Sequence, residues 1–176
     1  VDFHKKYYQS NRLIVSVAGA YSESMKETLL KQLSDGGEIP LDQQEQSMTF
    51  IEKKETYYKN ELEQTHFMRS YDAPSYNDEH YYATNILNTI LGETMSSKLF
   101  QVLREEHGLC YNVYSDFQSF HNDGLLTIYV ATDKENVDAS SELITEVLES
   151  LLNDGITQNE LDDAKSHIIT SFLMAS

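Results

Sequence analysis

The sequence predicts an α+β fold, a mostly antiparallel sheet with helices packed on one of its faces. The first observation is a hairpin: two segments of alternating character, 111–119 and 125–132, are joined by the turn sequence His121-Asn-Asp-Gly. The second is that the helical segments are grouped, two before the hairpin and two after it. Because the helices do not alternate strictly with strands, a doubly wound parallel sheet is disfavoured.

The first third of the chain predicts a strand, a helix and a connector. Residues 13–18 form a continuous apolar run that is typical of a buried strand, and Ser22 can cap the helix that follows. The polar segment 38–47 predicts a connector between structural units. Two further strands are expected, at 48–52 and 61–70.

Two helices are predicted before the hairpin. Caps at Ser75 and Asn77 open the first, whose apolar side chains recur at helical spacing as far as Leu91. Gly92 is expected to close it. The second helix spans 96–107 and ends at a glycine suited to the left-handed conformation.

Two helices, 134–153 and 158–174, are predicted after the hairpin. Both are expected to open with a Thr-x-x-Glu capping box, Thr132 with Glu135 and Thr157 with Glu160. The spacing of apolar residues in the last helix predicts that Phe172 faces the core.

Composition excludes several classes of partner. The formal net charge is -16 and there is no basic run, so nucleic acid is disfavoured. No apolar segment is long enough for a membrane span or a signal peptide, so no membrane partner is expected. The single cysteine, Cys110, cannot form an intrachain disulfide, which suits a reducing compartment and favours a cytoplasmic location. The acidic residues fit solvated helix faces better than steering of basic peptides.

The segment 96–111 carries the candidate binding residues. Arg104 lies in the last turn of the predicted helix, Gly108 follows it, and Tyr111 opens the next strand seven positions after the arginine. The guanidinium and the phenol can therefore converge as two hydrogen-bond donors. From the residues alone, an arginine that satisfies helix-end carbonyls and an amphipathic strand aromatic are the simpler explanation of the pair.

Tyrosine is abundant, with 12 residues in the chain. Tyr76 and Tyr114 are among those that could line a peptide-binding chamber. Ordinary half-buried positions explain the same residues, so the alternatives stay open at this point.

No catalytic zinc site can be assembled from local sequence. Neither His-x-x-Glu-His nor His-Glu-x-x-His occurs at any of the six histidines. The segment Asp78-Glu79-His80 is better explained by acids that favour the positive end of a helix. A nucleophilic dyad of Cys110 with His107 is disfavoured because a lone cysteine is most often a packed core residue.

Arg104 and Tyr111, with Leu91-Gly92 upstream and Asp123-Gly124 downstream, closely resemble the second-half domain of the pitrilysin-like zinc peptidases. This family includes insulin-degrading enzyme and mitochondrial processing peptidase. The resemblance implies the fold of one such half-domain, the half that lacks zinc.

The resemblance also implies a function. In the family, zinc bound in the other half activates a water molecule, and an Arg and a Tyr at this spacing hold the backbone of the peptide substrate across the cleft. The chain is then expected to contain no catalytic residue, no metal and no cofactor of its own, with Arg104 and Tyr111 as substrate-binding residues. Its expected partners are a peptide and a homologous zinc-bearing domain or subunit. A non-catalytic structural or assembly subunit of the same fold is the alternative.

The resemblance divides the chain into three parts. Residues 1–37 are expected to be a strand and helix left from the preceding homologous domain, 38–60 a linker with a lead-in strand, and 61–176 the zinc-free C-terminal domain. The chain is therefore interpreted as a piece of a longer polypeptide. The apolar strand at 13–18 is expected to pair with the sheet of the C-terminal domain, in the same chain or swapped within a homodimer.

Overall fold

The computed structural model describes residues 2–8, 13–33, 49–60 and 62–175. The chain divides into two compact units, Val1–Gln44 and Glu45–Ser176. The division lies within the predicted connector, while the assignment of three parts by homology remains a prediction.

The described part of the first unit forms the helices α1 (Asp2–Tyr7) and α2 (Glu23–Leu33). The backbone N–H of Met25 donates to Ser22 Oγ at 3.3 Å, which confirms Ser22 as the cap of α2. Residues 13–18 form no strand, and their side chains are exposed. The prediction of a buried strand is therefore wrong for this chain, because an apolar run becomes a strand only where a neighbouring strand satisfies its backbone.

The second unit is built on a three-stranded antiparallel sheet. Its strands are β1 (Thr65–Ala73), β2 (Cys110–Ser119) and β3 (Gly124–Thr132), in the order β1-β3-β2. The predicted hairpin is confirmed: β2 and β3 pair antiparallel, with Val113 opposite Val130 and Ser119 opposite Gly124.

The strand predicted at 48–52 is not found in its described part. Residues 49–59 have no regular secondary structure, and their side chains are exposed. A segment with no buried face has nothing to fix its register in a sheet, which explains the failure.

Helices cover one face of this sheet. They are α3 (Tyr81–Asn88) with a π-helical continuation (Thr89–Glu93), the π-helix Phe100–Glu106, α4 (Val137–Asp154) and α5 (Gln158–Ala175). Among the described residues, the core between helices and sheet includes a cluster of buried side chains: Leu91, Leu99, Leu103, Cys110, Val113, Leu126, Ile128, Val130, Ile144 and Val147. No helix in the described segments is long and apolar enough to cross a membrane.

The first helix of this unit begins later and ends later than predicted. It starts at Tyr81, preceded by a turn in which Asp78 Oδ1 accepts the His80 N–H at 2.8 Å. Gly92 lies inside the helix rather than at its end, because the chain passes so close to β2 that a Cβ on Gly92 would lie 2.4 Å from Ser115 N. Close approach to the sheet, not a left-handed turn, requires this glycine.

One of the two predicted capping boxes forms. Glu160 Oε2 accepts the Thr157 N–H at 2.7 Å, and Thr157 Oγ1 accepts the Glu160 N–H at 3.2 Å, which confirms the start of α5. The prediction of a capping box at Thr132 is wrong. This residue is the fully buried end of β3, and its hydroxyl donates to the carbonyl oxygen of Leu109. Phe172 is also not in the core, since 73% of it is exposed on the last turn of α5.

Candidate functional site

Arg104 lies on the exposed side of the π-helix Phe100–Glu106. Its guanidinium carbon is 4.9 Å from the centre of the Phe100 ring, and that ring packs against the core. A cation over an aromatic ring gains about 0.5–1 kcal/mol at an exposed site. No ion pair or hydrogen bond to Arg104 occurs among the residues that the structure describes, so the ring orients the cation while its donors stay available.

A tight helix end carries the chain from Arg104 toward Tyr111. The His107 N–H donates to Val102 O at 3.2 Å and the Leu109 N–H to Leu103 O at 2.9 Å. Gly108, between them, has φ +62°, as predicted for a left-handed helix end. Three residues therefore separate the π-helix from the start of β2.

Tyr111 is the extra residue of a β-bulge. Cys110 lies opposite Thr132 and Asn112 lies opposite Ala131, so Tyr111 has no partner position on β3. Cys110 is buried, whereas Tyr111 and Asn112 are consecutive exposed residues, and 57% of Tyr111 is exposed. Its hydroxyl makes no hydrogen bond within the described segments. The bulge thus presents the phenol to solvent at the end of the strand.

Cys110 lies in the chain between Arg104 and Tyr111 and is buried. Burial raises the pKa of its thiol, and the nearby positive charge of Arg104 opposes that rise. A buried thiol with a raised pKa stays protonated near neutral pH, which argues against a nucleophilic role.

The described residues do not fit a bound zinc ion. They contain no group of three or more His, Cys, Asp or Glu side chains arranged to hold a metal. Of the two acids before His80, Asp78 accepts the backbone N–H of His80 in the turn that precedes α3, which is a structural role.

The face of the sheet that lies opposite the helices, here called the open face, carries an aromatic cluster. The rings of Tyr114 and Tyr129 stack with centres 4.8 Å apart, and His66 Nδ1 lies 2.6 Å from the Tyr129 hydroxyl. Met68 is opposite Tyr129 in the register and is 66% exposed. Tyr114 was among the predicted candidate residues, whereas Tyr129, His66 and Met68 were not. Alternation along each strand could have shown that these residues share one face of the sheet. Which of them are neighbours across the strands depends on the pairing register, which the sequence does not give.

The fold and this site define a class: an α+β domain with helices on one sheet face, an exposed cation and phenol at a helix-to-strand connection, and no metal-ligand cluster in its described part. A family model described as the peptidase M16 inactive domain matches residues 1–168. The chain therefore belongs to this family, the inactive domain of zinc proteases. The predicted resemblance to the zinc-free pitrilysin-like half-domain is confirmed.

Curated relatives carry the name of zinc protease. The chain is 34% identical over 174 residues to the uncharacterized zinc protease YmxG of Bacillus subtilis, which covers 96% of this chain and 41% of that protein. An uncharacterized zinc protease of Mycobacterium leprae is 32% identical, with coverage of 94% and 38%. The chain thus spans about two fifths of the length of these relatives.

Solved structures agree with the fold. The crystal structure of a peptidase M16 inactive domain from Pseudomonas fluorescens matches with TM-score 0.59 and 33% identity, covering 62% of this chain and 27% of that one. A protease from Helicobacter pylori matches with TM-score 0.78 over 98% of this chain and 44% of that one. At 23% identity, the latter supports the fold alone.

Proposed function

We propose that this chain is the zinc-free, substrate-binding half-domain of a metalloendopeptidase that acts on peptides. Arg104 and Tyr111 would hold the substrate backbone opposite the zinc of a homologous half. The observation that carries the proposal is that both donors are exposed and make no hydrogen bond or ion pair in the described structure, one in the π-helix and one at the start of β2, with a three-residue connection between those elements. The zinc-protease names of the curated relatives support it.

The chemistry of the two donors suits a peptide carbonyl. A guanidinium presents several N–H groups in a rigid fork, and a phenol adds one O–H donor. Both can bind the carbonyl oxygens of an extended backbone without reading its side chains. A donor that strengthens its bond as negative charge develops on the carbonyl oxygen would also accelerate cleavage.

Because the described residues do not fit zinc, the metal and the catalytic base would belong to a partner. That partner would be a homologous zinc-bearing domain of the same polypeptide, or a separate subunit, including a second copy in a homodimer. The chain alone would cleave nothing. The single cysteine, Cys110, supports a cytoplasmic location for the assembly.

The test uses the complete enzyme and two substitutions. Removing one donor to a developing oxyanion lowers turnover by about a hundred- to a thousand-fold. Arg104→Ala and Tyr111→Phe should therefore each lower kcat by a factor in that range or by a smaller factor. Arg104→Lys should recover only part, because the ammonium keeps the charge and loses the fork. Zinc content and melting temperature should stay at parental values, since both side chains are exposed.

Tyr82→Phe is the matched control for the tyrosine variant, because Tyr82 is 76% exposed on α3, on the helical side of the sheet. It should cleave at the parental rate. If Arg104→Ala and Tyr111→Phe also cleave at that rate, the pair serves helix and strand packing, and the chain is a structural or assembly subunit.

A further inference from the structure

We propose that Thr132 is a positioning residue for Tyr111. Its hydroxyl fixes the start of β2, and with it the place of the Tyr111 phenol relative to the π-helix that carries Arg104. Because Thr132 is fully buried, it acts through the backbone and not by touching the peptide. This inference rests on the proposed function, since it takes Tyr111 as a donor to the substrate.

One residue, Leu109, joins the π-helix to the sheet through its backbone. Its N–H donates to Leu103 O at 2.9 Å, and its carbonyl oxygen accepts the Thr132 hydroxyl. Leu103 is the buried residue just before Arg104, and Leu109 lies two residues before Tyr111. The two hydrogen bonds therefore link the segments that carry the two donors.

Thr132 is attached to the most constrained part of the sheet. It is the last residue of β3, the central strand, and lies opposite Thr65 of β1 and Cys110 of β2. Strands in the core of a domain open only near global unfolding. The Thr132 hydroxyl is therefore a fixed point to which the connection between π-helix and strand is tied.

The β-bulge is the reason that Tyr111 needs such an attachment. The pairing with β3 passes from Cys110 directly to Asn112, so no partner position on β3 sets the place of Tyr111. A bulge re-aims a side chain, and the residues on both sides of the bulge fix the new direction. On the side of the π-helix the pairing ends at Cys110, and the bond from Thr132 to Leu109 extends the attachment one residue farther.

A small displacement of the phenol would be enough to slow cleavage. A misplacement of about 1 Å can cost about a hundred-fold in rate, because a donor stabilises a developing charge only at hydrogen-bond distance. The plainer explanation of the Thr132 hydroxyl is that it satisfies a carbonyl just after a helix end. Both explanations predict a less stable fold when the hydroxyl is removed. Only positioning predicts a loss of turnover that depends on Tyr111.

The test measures kcat and KM of the complete enzyme at a temperature at which every variant is folded. Thr132→Val removes the hydroxyl and keeps the shape, so it should lower kcat about ten-fold and leave KM within about two-fold of the parent. Thr132→Ser keeps the hydroxyl and should restore kcat to within about two-fold. When Tyr111→Phe is already present, Thr132→Val should change kcat less than about two-fold, because no phenol hydroxyl remains to be positioned.

Ser115→Ala is the matched control. The Ser115 hydroxyl is also buried and also donates to a backbone carbonyl, Asn88 O at 3.1 Å, but it lies farther along β2. This variant should lower the melting temperature, as Thr132→Val does, and keep the parental kcat. If Thr132→Val does not fold, Thr132→Ala takes its place, since the smaller side chain cannot crowd the Leu109 oxygen.

Hydrogen exchange in the 176-residue chain gives a second measurement that does not depend on activity. Thr132→Val should raise the exchange rate of the Leu109 amide relative to that of Ile128, because the connection loses one of its two attachments. Ser115→Ala should leave this ratio unchanged. A ratio that Thr132→Val does not raise overturns the inference.

The kinetic outcomes separate this inference from the proposed function. A folded Thr132 variant without the hydroxyl that keeps the parental kcat overturns the inference alone, provided that Tyr111→Phe still lowers kcat. An equal loss with and without the Tyr111 hydroxyl also overturns it, since Thr132 would then act on the fold as a whole. If Tyr111→Phe alone cleaves at the parental rate, the proposed function falls and the inference falls with it.

Discussion

Gly92 is a residue whose identity is dictated by a neighbouring strand. A Cβ there would lie 2.4 Å from Ser115 N and 2.6 Å from Ser115 Oγ, distances that require backbone movement. We therefore expect Gly92→Ala to lower the free energy of unfolding by about 2 kcal/mol, the usual cost of overpacking a core. Urea denaturation of parent and variant measures the difference.

Gly108→Ala is the comparison, because Gly108 has φ +62° and nothing within 4 Å of an added Cβ. Gly108→Ala should lower the free energy of unfolding through backbone strain alone, by about 1 kcal/mol. Gly108→Asn should lower it less, since asparagine tolerates the left-handed region. A Gly92→Ala variant as stable as the parent would show that β2 can move away, and the close-approach argument would fail.

Single residues show what sequence can and cannot predict. The left-handed turn at Gly108 was predictable because it depends on a local pattern, a helix that must end. The bulge at Tyr111 was not, because it is defined by register against β3. The same limit applies to Gly92, whose reason is Ser115 on a different element. Arg104 and Tyr111 were found through a family resemblance, and their exposure became visible only in the structure.

At the scale of elements, Glu160 joins the start of α5 to the segment before the π-helix. It pairs with Lys98 Nζ at 2.5 Å and accepts the Thr157 N–H, and these two contacts lower its pKa from the ordinary 4.5 to about 2. Because the pKa is lower in the folded state, the stabilisation is complete above pH 4.5 and is lost as the pH falls to about 2. We expect Glu160→Gln to be less stable than the parent near neutral pH and nearly equal to it at the acid end.

Urea denaturation across this pH range measures the difference in free energy of unfolding between the parent and Glu160→Gln, which should shrink as the pH falls. Gln keeps the geometry of the capping box, so the loss near neutral pH should be modest, about 0.5–1 kcal/mol. Glu149→Gln, at an exposed glutamate of α4, is the control and should show no such convergence. A difference for Glu160→Gln that stays constant with pH would contradict the role assigned to the charge.

The elements that sequence predicted correctly are those specified by their own residues. The β2–β3 hairpin and the Thr157 capping box are examples, since a turn or a cap involves residues a few positions apart. Thr132 has the same local pattern as Thr157, but it lies at the buried end of β3, where its hydroxyl donates to the carbonyl oxygen of Leu109. Phe172 has helical spacing, yet the described structure places nothing over it. Tertiary contacts, which the pattern does not contain, decided both cases.

At the scale of the whole molecule, the two units differ in how much of their apolar surface is buried. In the first unit Leu13 is 53% exposed, Ile14 97% and Val15 49%, whereas Ile128 and Val130 of the second unit are fully buried. Backbone amides outside a hydrogen-bonded ladder exchange with solvent through small local openings. We therefore expect the amides of Ile14 and Val15 to exchange rapidly, and those of Ile128 and Val130 only near the rate of global unfolding.

Hydrogen–deuterium exchange followed by mass spectrometry or NMR measures these rates. Slow exchange at Ile14 in the chain alone would show that residues 13–18 find a strand partner after all, in the same chain or in a second copy. The same experiment also tests the predicted origin of residues 1–37. If they complete the sheet of a preceding homologous domain, then extending the polypeptide to include that domain should slow exchange at Ile14 and Val15 while leaving Ile128 unchanged, because only the first unit gains a backbone partner.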